Sequence, residues 1–289
     1  MLELVCNGMG LRGYRAIWHY FAGSSAEFVS FAYNANNLLA ASREQYKCAK
    51  DSAPGVSWLI KLANRKVCDR RDEEFLNDAC VARQVERIEC EFVGLGVVND
   101  RKFNDRDAEI RKLLCEGKSL ERGQELLGRH LGFEAGKQET DASPDPWWML
   151  DGFVIVFEDH ANAKEGAVID PAKARQVSGH PKWIKENLPS AKEAEVLPVL
   201  VTPAKKAREG AFPHLGDVAY WRLDEFREWA YKSLTVMREL RSSFGEAGDL
   251  GWRKLCIEKL KRECLDMPGL FKYLKSNNAK KLLSRSSGG

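Results

Sequence analysis

The sequence predicts an α/β fold, and two observations support that prediction. Apolar residues recur at helical spacing in several segments, for example over residues 73–87 and 223–237. Short apolar runs bounded by turn residues, at 147–150, 153–157 and 196–201, are typical of strands. At 289 residues the chain is near the upper size of one core, so one large domain or two modest ones fit.

Three regions are predicted along the chain. Residues 1–106 form an N-terminal, mainly helical region, in which 90–98 is interpreted as a strand and the polar stretch 99–107 as a boundary loop. Residues 107–240 form the α/β domain, and residues 241–289 form a basic helical C-terminal extension. Between Arg253 and Arg285 basic residues outnumber acids by about seven, which suits either a phosphate backbone or a solvated helix surface.

The middle region contains a clear order of elements. A helix is predicted to start after Ser119 and to end before Gly132, and a strand follows at 133–139. After the hairpin described below, Asp170-Pro171 marks a strong helix start, with a break risked at Pro181. Strands at 196–201 and 218–222 and an amphipathic helix over 223–237 complete the order.

A tight hairpin is the best-defined feature. Asp151-Gly152 separates two apolar runs and favours a type I′ turn, in which both central residues take positive φ. A two-residue loop fixes the register, so that Trp148 faces Ile155 and the pattern extended outward sets Asp145 opposite Glu158. His160 leaves the strand on the same side as Glu158. The hairpin is therefore predicted to gather two acids and an imidazole on one face.

That pattern resembles the PD-(D/E)XK nuclease superfamily, whose motif is a Pro-Asp near one strand and (Asp/Glu)-x-Lys on the next. Here Pro144-Asp145 precedes the hairpin and Glu158-Asp159-His160 follows it, so His160 stands in place of the motif lysine. The resemblance covers roughly residues 119–230 and implies a restriction-endonuclease-like αβββαβ core.

The resemblance also implies a chemistry. Asp145 and Glu158 would ligate Mg²⁺ (or Mn²⁺), joined by the carbonyl of Asp159, because such hard cations prefer oxygen ligands. The expected function is metal-dependent hydrolysis of nucleic acid, DNA more than RNA. Bacterial defence against foreign DNA, alongside a helicase or ATPase partner, follows only by analogy with fold relatives.

The absence of the motif lysine at position 160 leaves three hypotheses open. His160 replaces it, an amine reaches the site from Lys164 or Lys173, or catalysis is lost and only binding remains. Gln176 lies three residues after Lys173, shares its helix face and is a candidate to orient water or a phosphate oxygen.

Other side chains near the motif have plainer interpretations. His180, one turn beyond Gln176, is compatible with an inward-facing position, but a surface or packing histidine is the favoured interpretation. Glu125 is a candidate for a further acid of the site, but a surface glutamate is favoured. Lys205, Lys206 and Arg208 form a basic loop that suits phosphate contacts or a solvated charge run.

Composition excludes several classes. The net charge of +3 gives no global basic field, and the eight cysteines form no C-x-x-C pair, which argues against structural zinc. No apolar run of about 18 residues predicts a membrane span and no secretory signal is evident, so we expect a cytoplasmic protein. The oligomeric state is left open.

Two competing functions remain at this point. One is a catalytically inactive nuclease-fold subunit that binds nucleic acid or scaffolds a partner. The other is an unrelated hydrolase that uses His160 with a carboxylate and no metal. Cleavage assays with a chelator and with Glu158→Ala separate them.

Overall fold

The computed structural model describes residues 11–32, 36–64, 79–96, 100–137, 144–164 and 166–286. The chain divides into two compact units, residues 1–82 with 245–257 and residues 83–244 with 258–289. This partition differs from the predicted boundaries at 106 and 240.

The first unit is helical where it is described. Its helices are α1 (Arg12–Ala32), α2 (Asn36–Ser52) and α3 (Ser57–Ala63), together with the start of α4 (Ala79–Leu95). Tyr46 is buried and donates a hydrogen bond from its hydroxyl to Glu27 Oε2 at 2.6 Å. Gly23 lets α1 approach α2, since a Cβ there would lie 2.7 Å from the Tyr46 ring. The mainly helical character predicted for the N-terminal region is confirmed for these residues.

The second unit combines helices with strands. In chain order its elements after α4 are α5 (Arg101–Cys115), α6 (Leu120–His130), β1 (Glu134–Gly136), β2 (Trp147–Leu150), β3 (Phe153–Asp159), β4 (Val168–Ile169), α7 (Pro171–Asn187), β5 (Glu195–Thr202), β6 (Lys206–Ala207), β7 (Ala219–Arg222), α8 (Leu223–Ser243), α9 (Leu250–Arg262, shared with the first unit), α10 (Met267–Ser276), α11 (Ala279–Leu282) and β8 (Ser284–Arg285). The predicted α/β class and the helical C-terminal segment are thereby confirmed.

The main sheet has five strands in the order β1-β2-β3-β5-β7. Strands β1, β2 and β3 are antiparallel neighbours, whereas β3, β5 and β7 run parallel to one another. The carboxyl ends of β3, β5 and β7 therefore meet at one edge of the sheet, and the start of β2 lies at the same edge. A second, parallel sheet joins β4, β6 and β8.

The hairpin between β2 and β3 has the predicted register. Trp148 pairs with Ile155 and Leu150 with Phe153. Asp151 has φ 50° and Gly152 has φ 91°, as a type I′ turn requires. The Arg83 guanidinium donates a 2.6 Å hydrogen bond to the Asp151 carboxylate.

Two local predictions in the first hundred residues are wrong. Residues 90–95 belong to helix α4 rather than to a strand, because Val85, Ile88 and Phe92 continue a helical apolar period into that segment and are fully buried. The predicted boundary loop is instead largely helical, since α5 begins at Arg101 and buries Phe103.

Helix α7 differs from expectation at Pro181, where a break was anticipated. The helix runs through this residue to Asn187, and its buried positions Val177, His180 and Ile184 keep a continuous face on the sheet. Packing of that face offsets the lost backbone hydrogen bond. Within the described ranges, no helix is long and apolar enough to cross a lipid bilayer.

The core on one side of the sheet is built around Trp148. Its indole is fully buried, contacts Phe157 edge-on at 4.7 Å and donates from Nε1 to the Gln124 carbonyl at 2.9 Å. Gly128 on helix α6 lies directly against this indole, so that any side chain at 128 would overlap the ring.

We predict that Gly128→Ala destabilises the chain by about 1–3 kcal/mol, because an overpacked core must shift. Gly179→Ala on α7 is the matched control, since no atom lies within 4 Å of its Cβ position. Alanine there should stabilise by up to about 1 kcal/mol through helix propensity. Urea unfolding of both variants measures the difference, and equal effects would contradict the packing argument.

Stability should also depend on His130. Burial lowers the pKa of this imidazole from 6.5 to about 4, against an opposing effect of Asp107. Neither ring nitrogen has a hydrogen-bond partner among the residues that the structure describes. The unfolded chain therefore takes up a proton first as the pH falls below 6.5, and stability declines until about pH 4.

The parent should lose stability between pH 7.5 and pH 5, and we expect this loss to be about 2 kcal/mol smaller in His130→Leu. Urea unfolding at both pH values, compared with the parent, isolates this contribution. His214→Leu, which keeps the buried His130 imidazole, serves as the control.

Candidate functional site

Glu158 is the centre of the candidate site. It lies near the carboxyl end of β3, and its side chain is only 3% exposed. The Lys173 ammonium donates to Oε1, and His180 Nε2 lies 2.5 Å from Oε2. Burial opposes ionisation, but the His180 hydrogen bond and the Lys173 charge hold the pKa of Glu158 below its usual value. The carboxylate is thus ionised and held at both oxygens.

Helix α7 positions both partners of Glu158. Asp170 caps the helix by accepting a 2.8 Å hydrogen bond from the Lys173 amide, and Pro171 occupies its first turn. Lys173 and His180 are seven residues apart, so they lie two turns from each other on one face. The predicted helix start therefore determines which residues of α7 reach the end of β3.

Asp145 lies just before β2 at the same edge. Its Oδ2 accepts a 2.5 Å hydrogen bond from the backbone amide of Asp159. Burial, followed by the charge of Glu158, raises the pKa of Asp145 to about 6. The paired strand residues begin at Trp147, so Asp145 meets the end of β3 through this bond rather than as a ladder partner of Glu158.

Asp159 contributes different groups on its two sides. Its carbonyl lies 3.3 Å from Lys173 Nζ, which also contacts Glu158. Its carboxyl accepts a 3.0 Å hydrogen bond from Gln124 through Oδ1, while Oδ2 is buried and has no hydrogen-bond partner within the described ranges. Burial and the charge of Asp145 raise the pKa of this carboxyl well above its usual value.

His160 is half-buried and is the first residue after β3 in the sequence. Its amide donates to the Val201 carbonyl at 2.8 Å, and its Nδ1 is buried with no hydrogen-bond partner in the part of the chain that the structure describes. Burial and then the charge of Lys173 lower the pKa of His160. The imidazole is therefore neutral at physiological pH and available to accept a proton.

Other candidates do not converge here. Lys164 and Gln176 are exposed, and no hydrogen bond joins either to Glu158, Asp159 or Asp145 in the described part of the chain. Glu125 is bound by Arg122 at 2.6 Å and by Arg129 at 2.7 Å on its own helix. Of the amines considered for the motif, Lys173 is the one that reaches the acids.

The favoured interpretation of one site residue, His180, is wrong, and sequence reasoning missed another, Gln124. His180 is buried against Glu158 rather than packed at the surface, and its seven-residue spacing from Lys173 was the available signal. Gln124 is fully buried and falls on the apolar stripe of Leu120 and Leu127. A polar residue at a core position of that helix marks a buried hydrogen-bond partner.

The oxygen atoms at this site are of the chemical type that binds hard cations. Two carboxylates and a carbonyl are oxygen ligands of the type that Mg²⁺ uses, with water completing its shell. Asp159 Oδ2, which has no hydrogen-bond partner among the described residues, and the raised pKa of Asp145 fit a site in which a cation would offset carboxylate repulsion. Across the described ranges, however, no group of three or more His, Cys, Asp or Glu side chains is arranged to hold a metal ion.

We predict that Asp145→Asn stabilises the metal-free chain by about 3 kcal/mol at pH 7.5, because ionising a carboxyl with a raised pKa costs folding energy. The stability contributed by Asp145 is present below its unfolded value of 3.8 and is lost as the pH rises through about 6. The gain should therefore vanish near pH 4. Asparagine can still accept the hydrogen bond from the Asp159 amide.

Denaturant unfolding at the two pH values measures this effect. Asp151→Asn, in the hairpin turn, is the matched control and should give no gain, since Asp151 is paired with Arg83. A destabilised Asp145→Asn chain at pH 7.5 would contradict the electrostatic account.

The chain matches no family model, no curated protein and no solved structure. No relative's activity therefore bears on its function, which is inferred below from the sheet topology and the side chains around Glu158.

Proposed function

We propose that this protein is a metal-dependent nuclease of the PD-(D/E)XK type in which Lys173 supplies the amine of the motif. The observation that carries the proposal is the position of Lys173 Nζ, which contacts both Glu158 Oε1 and, at 3.3 Å, the Asp159 carbonyl. These are two of the oxygens that the resemblance assigns to the metal. In this proposal Lys173 on helix α7 takes the place of the motif lysine, whose position in the sequence is occupied by His160.

The topology supports the same proposal. Helix α6, the antiparallel strands β1 to β3, helix α7 and the strand β5 parallel to β3 follow one another in the order αβββαβ. The short strand β4 is an insertion before α7 and pairs outside the main sheet. This order is what the resemblance implies, and it brings the acids and the amine to one edge.

The metal, Mg²⁺ or Mn²⁺, would be held by Asp145, Glu158 and the Asp159 carbonyl. When bound, such an ion neutralises charge on the phosphate and lowers the pKa of a coordinated water. Lys173 adds a positive charge beside the acids, where it stabilises the negative charge that develops on the phosphate.

The remaining residues have positioning and proton-accepting roles in this proposal. His180 holds Glu158 from the side opposite Lys173, and Gln124 holds the Asp159 side chain, so that the backbone carbonyl stays at the edge. The neutral His160 imidazole is suited to take a proton from the attacking water. DNA, rather than RNA, as the substrate and a helicase or ATPase partner remain analogies with fold relatives.

A second candidate function is a non-catalytic subunit that binds nucleic acid. The observation that favours it is that Lys173 and His180 already occupy both oxygens of Glu158. A carboxylate neutralised by the chain itself has less need of a metal. The metal-free hydrolase has less support, since no carboxylate is hydrogen-bonded to His160 Nδ1 among the described residues.

We predict that the purified chain cleaves DNA in Mg²⁺ or Mn²⁺, that a chelator stops cleavage, and that Glu158→Gln and Lys173→Met each lower the rate at least about a hundredfold. The loss in the first variant follows from removing a ligand, and in the second from removing a charge that stabilises the transition state. Gel assays with single- and double-stranded DNA and RNA measure cleavage and strand preference.

Lys182→Met is the matched control, because this lysine lies on the same helix with its side chain 83% exposed. It should cleave at the parent rate. Binding without cleavage in the parent would favour the non-catalytic subunit, and cleavage that survives the chelator would favour the metal-free hydrolase. Full activity of Lys173→Met would overturn the role given to that residue.

A further inference from the structure

A basic cavity of about 510 Å³ opens at the same edge of the sheet as the candidate site. Its charged lining consists of Lys205, Lys206, Arg222, Arg227 and a single acid, Asp224. Four cations against one carboxylate make the cavity electropositive. A concave surface of this sign concentrates anions.

The cavity lies beside the acids at a distance that the strand pairing defines. Asp159 pairs with Val201 on β5, and the next residue of β5, Thr202, pairs with Arg222 on β7. Two strand spacings of about 4.8 Å therefore separate the ends of β3 and β7, or about 10 Å in all. A nucleic-acid duplex rises about 3.4 Å per nucleotide along its axis, so this separation corresponds to at most about three nucleotides.

The two arginines are already engaged within the chain. Arg222 pairs with Asp224 and Glu225, and Arg227 donates to the carbonyl of Leu114 at 2.9 Å. They shape the cavity and contribute positive charge, but some of their N–H groups already bind acceptors within the chain.

The two lysines differ from the arginines in this respect. Both are exposed, and neither side chain makes an ion pair or hydrogen bond in the described part of the chain. Their backbone is nonetheless fixed, because the Lys205 carbonyl accepts from the Ser284 amide at 3.1 Å and Lys206 pairs with Val168 and Ser284 in the small sheet. A fixed backbone with unpaired ammonium groups suits contact with an external anion.

We propose that this cavity binds the phosphodiester backbone of nucleic acid at most about three nucleotides from the phosphate that is cleaved at the site formed by Asp145, Glu158 and Lys173. The position of the cleaved phosphate rests on the proposed nuclease function. Binding of nucleic acid in the cavity itself does not require cleavage. Lys205 and Lys206 contact backbone phosphates without reading bases, so they set affinity and register and give no sequence preference.

The test is oligonucleotide binding by fluorescence anisotropy over a range of salt, with the full-length chain in a chelator so that no cleavage intervenes. The double variant Lys205→Ala/Lys206→Ala should lower affinity about tenfold at moderate salt and reduce the slope of log K against log [salt] by about 2. Lys182→Ala/Lys185→Ala, on the exposed side of α7, is the control and should leave both quantities at the parent value.

Each outcome decides the proposal. DNA and RNA strands of one sequence should lose affinity alike, because the backbone is shared. Unchanged affinity and slope in the Lys205/Lys206 variant, loss in both double variants alike, or absence of oligonucleotide binding by the parent each overturn the cavity assignment. A parent that binds only a polyglutamate probe would also overturn it. If the parent fails to cleave in Mg²⁺ but the Lys205/Lys206 loss is seen, the nuclease proposal fails and the cavity stands.

Discussion

The ion pair and hydrogen bond that hold the buried Glu158 carboxylate are the constraint on which the site depends. A charge at the end of a central strand, removed from water, is tolerated only when its partners are close and well oriented. Lys173 and His180 meet this requirement from one face of α7. The contacts that let the fold bury this carboxylate are therefore the same contacts that define the candidate site.

The surrounding acids show the opposite balance. Asp145 and Asp159 both have raised pKa values, since each is buried near other carboxylates with few compensating charges. Clusters of acids that cost stability are commonly found where a protein performs chemistry. The contrast between a neutralised Glu158 and two poorly compensated neighbours is the main electrostatic feature of this edge.

Much of this arrangement could be predicted from local sequence. The Asp-Gly turn, the strand register and the Asp170-Pro171 helix start depend on neighbouring residues, and the structure confirms them. The contact of Lys173 with Glu158 could not be predicted, because it depends on the rotation of helix α7 around its axis after docking. Gln176 shows the same limit, since a three-residue spacing from Lys173 permits either the buried or the exposed side.

The small sheet has a consequence for the order of assembly. Strand β8 pairs with β6 across 79 positions of sequence, through Ser284 and the Lys205 carbonyl. Contacts of such separation close slowly, because a long loop must lose its entropy before they form. We therefore expect the rim that carries Lys205 and Lys206 to mature after the five-stranded sheet, so that a nascent or partly unfolded chain would have its acids in place before its anion-attracting wall.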